Sequence, residues 1–292
     1  MNTQEIIIAG GSENPLKVKR FGYGSMRLTG EQIWGEPANR PEALQILKQC
    51  VKNGVNFIDT ADYYGEDVTN RLINEALYPY HDDLVICTKV GCARKPDKSW
   101  ITFNRPENLR TSIDNNLRTL KLERMKLVHF RVIPGDVPLK ESMGAMFEMQ
   151  KEGKILHVGI SNVSPDELQA AMAMSSIATV ENMYGHAQRV SLKQAWGEET
   201  RGGEEVLAVC EENKIPLIPY FSLVNSMSKK DDRIAVIAKK HNATAAQVNL
   251  AWLLHRSPWI LPIPGTSSLK HLEENVKAAE INLSEEDMKF LG

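Results

Sequence analysis

Short apolar runs recur along the chain at Phe21–Tyr23, Val55–Ile58, Leu84–Thr88, Leu127–Val132, Ile155–Ile160, Ala178–Glu181, Ile215–Pro219 and Ile260–Ile263. Each is about as long as a buried strand. Helical periodicity fills the gaps between them. Ala43, Ile46, Leu47, Cys50 and Val51 follow the i, i+3, i+4, i+7, i+8 rule, so the spacing predicts a helix with one buried face. Pro41, Pro106 and the Ser164-Pro165-Asp166 sequence mark helix starts, because proline fits a first turn and serine caps it. Ala245 to Leu254 is apolar on nearly every side, as a helix wedged into a body would be. Gly10, Gly11, Asn14 and Pro15 supply turn chemistry for a hairpin before Lys19, and Ser284-Glu-Glu-Asp caps a short last helix.

Eight strand–helix repeats imply parallel strands joined by crossover helices. The expected class is α/β: a (β/α)8 TIM barrel with an N-terminal β-hairpin and a short C-terminal helix. A doubly wound sheet is the runner-up. It would need a phosphate-binding G-x-G-x-x-G, and after Gly22-Tyr23-Gly24 the third glycine position holds Arg27. With no Pro- or Ser-rich linker, residues 1–292 read as one domain.

Composition narrows the function classes. The 292 residues are 42% hydrophobic and 25% charged, enough apolar matter for a large core and too little bias for disorder. Thirty-five basic against 37 acidic residues leave a net charge of -2 with no long run of one sign. A nucleic-acid groove or a polybasic membrane surface is therefore disfavoured. Cys50, Cys87, Cys92 and Cys210 form no C-x-x-C pair, so reduced thiols in a cytoplasmic protein are expected. The apolar run Ile6–Ala9 is too short for a secretory leader, and no stretch approaches a membrane span.

In such a barrel the chemistry sits at the carboxyl ends of the strands. Four apolar runs end in informative residues: Asp59 with Tyr64 five residues on, Lys89, His129 with Arg131, and Ser161-Asn162. A phenol titrates near ~10 when unperturbed, and a neighbouring cation favours its ionised form. Lys89 can supply that charge, Asp59 can hold the ammonium, and Tyr64 becomes a candidate acid for an oxyanion forming on a carbonyl carbon.

These residues also carry a resemblance. Phe57-Ile-Asp-Thr-Ala-Asp-Tyr-Tyr-Gly65, Thr88-Lys89, Gly159-Ile-Ser-Asn162, Ile263-Pro-Gly265 and Glu274-Asn275 are similar to the successive signatures of the aldo-keto reductases, in order over residues 19–292. Val68-Thr-Asn70 through Tyr80 and Asp82-Asp83-Leu84 further resembles the family's bacterial pyridoxal reductase branch. The resemblance implies a metal-free barrel that uses NADPH to reduce aldehydes or ketones, with pyridoxal or another aromatic aldehyde as a candidate substrate. A slow-turnover NADPH-binding sensor barrel is the alternative. Asp59, Tyr64 and Lys89 take the family's catalytic positions, and Arg131 stands where histidine is usual. Arg131 can polarise a carbonyl but cannot act as a neutral acid or base. His129 reads chiefly as a hydrogen-bonded core residue and stays beside Trp34 and Tyr63 as a substrate-side candidate.

For the cofactor the resemblance implies Ser161, Asn162 and Glu181 at the carboxamide, with Glu181 where glutamine is common. Tyr220 takes the stacking position, and Leu223 and Asn225 lie at the pyrophosphate, helped by Lys229 or Lys230. Gly265, Thr266, Ser267, Lys270 and His271 offer hydroxyls, a helix N-terminus and basic groups with no acid before Glu273, which favours NADPH over NADH. Glu274 and Asn275 fit the adenine. Met26, Arg27, Trp100 and Trp196 are further rim residues that could wall a substrate pocket. No nucleic-acid or membrane partner is expected.

Overall fold

The computed structural model describes residues 5–133, 135, 137–189, 192–193, 199–200, 203–223 and 232–292. The chain opens with an antiparallel hairpin, β1 (Glu5–Ile8) and β2 (Leu16–Lys19), in which Ile6, Ile8, Leu16 and Val18 face inward and the intervening residues face out. Seven parallel strands follow: β3 (Tyr23–Gly24), β4 (Phe57–Asp59), β5 (Val85–Val90), β8 (Met125–Arg131), β9 (Ile155–Ser161), β10 (Val180–Met183) and β13 (Leu217–Tyr220). They lie side by side in that order, β3 at one edge and β13 at the other.

The two edges meet through residues 259–263. Leu217 donates to Trp259 O, Leu261 donates to Leu217 O, and Gly22 donates to Pro262 O. Only Ile260 pairs in ladder register, so the eighth run is a closing segment rather than a full strand. Two prolines explain this, since Pro262 and Pro264 lack the N–H that a ladder needs. Buried Arg20 ties this segment to the chain just before it, donating to Ile260 O, Leu254 O and Ser257 O at 3.2, 2.7 and 2.8 Å. Backbone approach at the seam is so close that a Cβ on Gly24 would sit 2.8 Å from Ile263 O, and one on Gly265 2.6 Å from Gly24 O. Glycine is required at both positions.

The crossover helices are α1 (Arg40–Lys52), α2 (Val68–Leu77), α3 (Pro106–Leu120), α4 (Leu139–Lys151), α5 (Pro165–Met172), α6 (Glu204–Asn213), α7 (Asp232–Lys240), α8 (Ala245–Arg256) and α9 (Leu269–Lys277), with α10 (Glu285–Leu291) last. Their starts follow the caps: Asn39 accepts from Glu42 N–H, and Ser164, Thr244 and Ser284 each form a reciprocal capping box. In α1, Ala43, Ile46, Leu47 and Cys50 are buried, and Ile46 and Leu47 contribute about 1.5–3 kcal/mol each by that burial. In α8, six successive residues from Val248 to Leu253 are buried.

Two inserted ladders were not apparent from periodicity: β6 (Cys92–Arg94) with β7 (Trp100–Thr102), and β11 (Leu192–Lys193) with β12 (Glu199–Thr200). All four cysteines are buried thiols. Among the described residues no helix is long and apolar enough to cross a membrane.

Strand parity separates two cores. Ile58, Ile86, Val128, Phe130, Val158, Ile160 and Val180 pack outward under the helices. Phe57, Val85, Cys87, Leu127, Ile218, Leu261 and Ile263 fill the interior and rest on the hairpin's Ile6, Ile8, Leu16 and Val18. The hairpin thus plugs the amino end of the barrel, and interior positions turn polar toward the carboxyl end: Phe57 then Asp59, Val85 then Cys87 then Lys89, Leu127 then His129 then Arg131.

Candidate active site

Asp59, Lys89, His129 and Glu181 come from β4, β5, β8 and β10, and each is at most 3% exposed. Lys89 Nζ donates to Asp59 Oδ1 at 2.5 Å and lies 3.4 Å from Glu181 Oε1. Glu181 Oε2 lies 2.9 Å from His129 Nδ1, which is also 3.2 Å from Cys87 Sγ. His129 Nε2 is 2.7 Å from Thr179 Oγ1. Gly159 makes the slot for this ring: a Cβ there would sit 2.3 Å from His129 Cδ2. Asp59, Cys87 and His129 bring their donor atoms within 4.8 Å of one another, and the Lys89 ammonium is the cation already bonded there.

Two buried carboxyls share one ammonium in this cluster. Burial works against the charge on Lys89, but Asp59 and Glu181 outweigh it and hold the lysine protonated well above its ordinary range. Burial and then the charge of Glu181 push Asp59 up to about 8, against the pull of Lys89. Burial also opposes ionisation of Glu181, but Lys89 and His129 prevail and hold it at about 2. The pair therefore titrates together, one carboxyl ionising readily to match the ammonium and the second retaining a proton toward neutrality. Burial keeps His129 below its usual value and hence neutral at pH 7.

Tyr64 sits in the turn after β4, 6% exposed, with its ring centre 5.1 Å from Lys89 Nζ. Lys89, as expected, and Arg131 favour its phenolate, but burial and the charges of Asp59 and Glu181 prevail and push the phenol up. It is protonated at neutral pH. Arg131 is half-buried at the end of β8, two residues beyond His129 and in register with Ser161.

Tyr63 is edge-on to both Tyr64 and Trp100, with ring centres 5.3 and 5.8 Å apart. Arg94 lies 4.1 Å from the ring centre of Trp100 and 5.6 Å from that of Trp34, and donates to Gln32 O, Ile33 O and Lys98 O. This guanidinium binds the β6–β7 hairpin to the turn carrying Trp34 and was not anticipated from sequence; its only signal was an arginine between two tryptophans. Tyr63 also lines a cavity of about 440 Å³ with Asp62, Cys92, Arg94, Phe103 and Ser112. Met26 packs with Tyr63 and Tyr64.

At the neighbouring strand ends, Asn162 has φ 60°, donates to Val132 O at 2.9 Å and accepts from Tyr220 Oη at 3.2 Å. Ser161 is buried, while Tyr220 and Leu223 are half-buried. Asn225, Lys229, Lys230 and Trp196 lie outside the described residues. Around α9, Ser268 caps the helix, Ser267, Lys270 and His271 are exposed, and the first turn contains no acid. Glu42 Oε1 approaches Leu269 N–H at 3.4 Å, and Lys270 Nζ lies 3.9 Å from Glu274 Oε1. Tyr23 Oη donates to Thr266 O at 2.6 Å, fixing this segment to β3; Asn275 is buried.

The phenol of Tyr64 and the buried Lys89–Asp59 pair thus lie together at the carboxyl end of a (β/α)8 barrel. The chain belongs to the aldo/keto reductase family, whose pattern it matches over residues 20–291. It is 39% identical over 280 residues to a pyridoxine 4-dehydrogenase of Escherichia coli, covering 94% of each chain. In structure it is similar to a thermostable aldo-keto reductase, Tm1743, solved with the inhibitor epalrestat: TM-score 0.82, 30% identity, 99% and 98% of the two chains covered. An aldo-keto reductase of Klebsiella pneumoniae solved with NADPH shares the fold, with TM-score 0.77 and 24% identity over 100% and 94% of the two chains.

Proposed function

We propose that the protein is an NADPH-dependent reductase that converts aldehydes or ketones to alcohols, with pyridoxal or a similar aromatic aldehyde as substrate. The observation that carries this reading is the 2.5 Å Lys89–Asp59 pair set against the ring of the protonated Tyr64. When bound, NADPH supplies the hydride that reaches the carbonyl carbon. Tyr64 gives its phenolic proton to the carbonyl oxygen, Lys89 balances the phenolate left behind, and Asp59 keeps the ammonium in place. Arg131 orients the oxygen with its fixed fork of donors.

The cofactor fits residues at hand. Ser161, Asn162, Tyr220, Leu223 and Asn225 would hold its nicotinamide and pyrophosphate portions. The N-terminus of α9, with Gly265, Thr266, Ser267, Lys270 and His271, would take the 2′-phosphate, and Glu274 with Asn275 the adenine. The aromatic substrate is supported by the stacked Trp34, Arg94 and Trp100 beside Tyr63, and by the relative named for pyridoxine, the alcohol counterpart of pyridoxal.

NADPH consumption by the purified protein, with pyridoxal beside aromatic, aliphatic and sugar aldehydes, tests the reading. Pyridoxal or another aromatic aldehyde should turn over fastest, and Tyr64→Phe should not turn over. NADPH binding without any Tyr64-dependent loss of a carbonyl would refute it.

A further inference from the structure

We propose that Glu181 is a positioning residue for this reaction: its carboxylate is a second counter-ion to Lys89, offsets the lysine's charge, and thereby keeps the phenol of Tyr64 in its proton-donating form. The inference deepens the reading of Tyr64 as the acid and rests on it.

Three observations carry it. Glu181 is 2% exposed, and its oxygens lie 3.4 Å from Lys89 Nζ and 2.9 Å from His129 Nδ1, so the carboxylate addresses the catalytic cluster inside the barrel. His129 is itself held in place by Thr179 and by the slot at Gly159, so its ring stays against Glu181 Oε2. The charge count then decides the effect. At the alkaline pH where the phenol titrates, Asp59 is ionised as well as Glu181, so two carboxylates outweigh the one ammonium of Lys89 and oppose a further negative charge on the adjacent phenol.

The titratable and charged groups around this cluster are Lys89 and Cys87 on β5, Asp59 on β4, His129 and Arg131 on β8, and Tyr64 and Tyr63 after β4. Glutamine at 181 would fill the same volume without the charge. Lys89 would then stand opposite Asp59 alone, and its pull on the phenol would be less opposed. The natural residue therefore biases the site toward reduction, the direction that needs the protonated phenol.

Glu181→Gln and Glu181→Asp separate charge from shape. Tyrosinate absorbance is titrated in each protein against its Tyr64→Phe counterpart, and the pH–rate profile of carbonyl reduction is recorded beside it. Glu181→Gln should lower the pH of Tyr64 ionisation and of the alkaline fall in reduction by about one unit, a roughly tenfold loss of rate on that limb. Glu181→Asp, which keeps the charge, should stay near the wild-type position in both. An unmoved Glu181→Gln, or equal shifts in the two variants, would overturn the proposal. The absorbance titration needs no substrate, so it reports on Glu181 even if the wild-type protein reduces no carbonyl, the outcome that would refute the reductase reading instead.

Discussion

Lys89 Nζ and Asp59 Oδ1 are 2.5 Å apart with side chains 3% and 4% exposed, and Glu181 faces the same ammonium from across the barrel. Removing the one cation leaves two buried carboxyls without a counter-charge, whereas removing one acid leaves the lysine its other partner. Lys89→Met should therefore cost more stability than Asp59→Asn, about 3–5 kcal/mol at neutral pH. Part of that loss should return near pH 5 as the carboxyls take up protons. Denaturant unfolding of both variants at the two pH values checks the ranking, and equal costs would show that the ammonium is not shared.

Tyr64→Phe removes only the phenolic oxygen and keeps the ring that packs against Tyr63. The loss of a positioned acid should lower turnover by roughly a hundred- to ten-thousand-fold. NADPH affinity, followed by fluorescence titration, should change little. Comparable losses in both would contradict the acid role.

The elements that carry the catalytic candidates were legible because each combines an apolar run with a polar end. Asp59, Lys89 and Arg131 all lie at the carboxyl ends of such runs, and the strands that hold them form where expected to within one or two residues, β4 and β5 shifted toward the carboxyl end and β8 toward the amino end. The contact between Lys89 and Glu181 was not legible, because β5 and β10 are separated by β8 and β9 in the sheet and meet only across the closed lumen. Periodicity reports which face a residue points to and says nothing of distances between non-adjacent strands. The β6–β7 hairpin escaped for a different reason: two strands of three residues fall below the length at which alternation can be recognised.

Gly159 faces His129 across adjacent strands, and the ring occupies the volume a side chain at 159 would need. A Cβ 2.3 Å from Cδ2 cannot be accommodated without moving the imidazole away from Thr179 and Glu181. Gly159→Ala should cost about 1–3 kcal/mol in unfolding free energy, the range for overfilled cores. Thermal unfolding measures it, and a neutral result would mean that the ring has an alternative place.

The buried carboxyl pair also predicts a pH dependence of stability. A carboxyl whose folded value is raised from 3.8 to about 8 binds its proton more tightly in the folded protein. Its favourable contribution is complete below about pH 4 and is lost as pH rises through 8, with a slope of at most about 1.4 kcal/mol per pH unit. Glu181, held low by Lys89 and His129, acts in the opposite sense and only at the acid end. Buried His129, held below its usual 6.5, gains stability as pH rises toward that value and opposes Asp59 there, so the cluster's net loss of stability with rising pH should appear between about pH 6.5 and 8, as seen in unfolding midpoints across that window. Glu181→Gln removes the charge that raises Asp59 and should flatten the slope; an unchanged slope would assign it to other groups.

The cofactor's phosphate is the last point at which sequence and geometry converge on a measurable preference. NADPH differs from NADH by one 2′-phosphate, so any group that distinguishes them must meet that anion. The first turn of α9 offers backbone N–H groups, the Ser267 and Ser268 hydroxyls and the exposed side chains of Lys270 and His271, with no acid in the turn itself. Glu42, which approaches Leu269 N–H at 3.4 Å, competes for the same N-terminus and would have to yield to a bound phosphate. A charge-assisted bond is worth about 1.5–3 kcal/mol, so Lys270→Ala with His271→Ala should weaken NADPH by roughly tenfold or more and leave NADH nearly unaffected. Glu42→Gln should act in the other direction, strengthening NADPH binding by relieving repulsion of the phosphate. Titration of both nucleotides against the three proteins decides the matter: an unchanged preference in the double variant would place the phosphate elsewhere on the barrel rim.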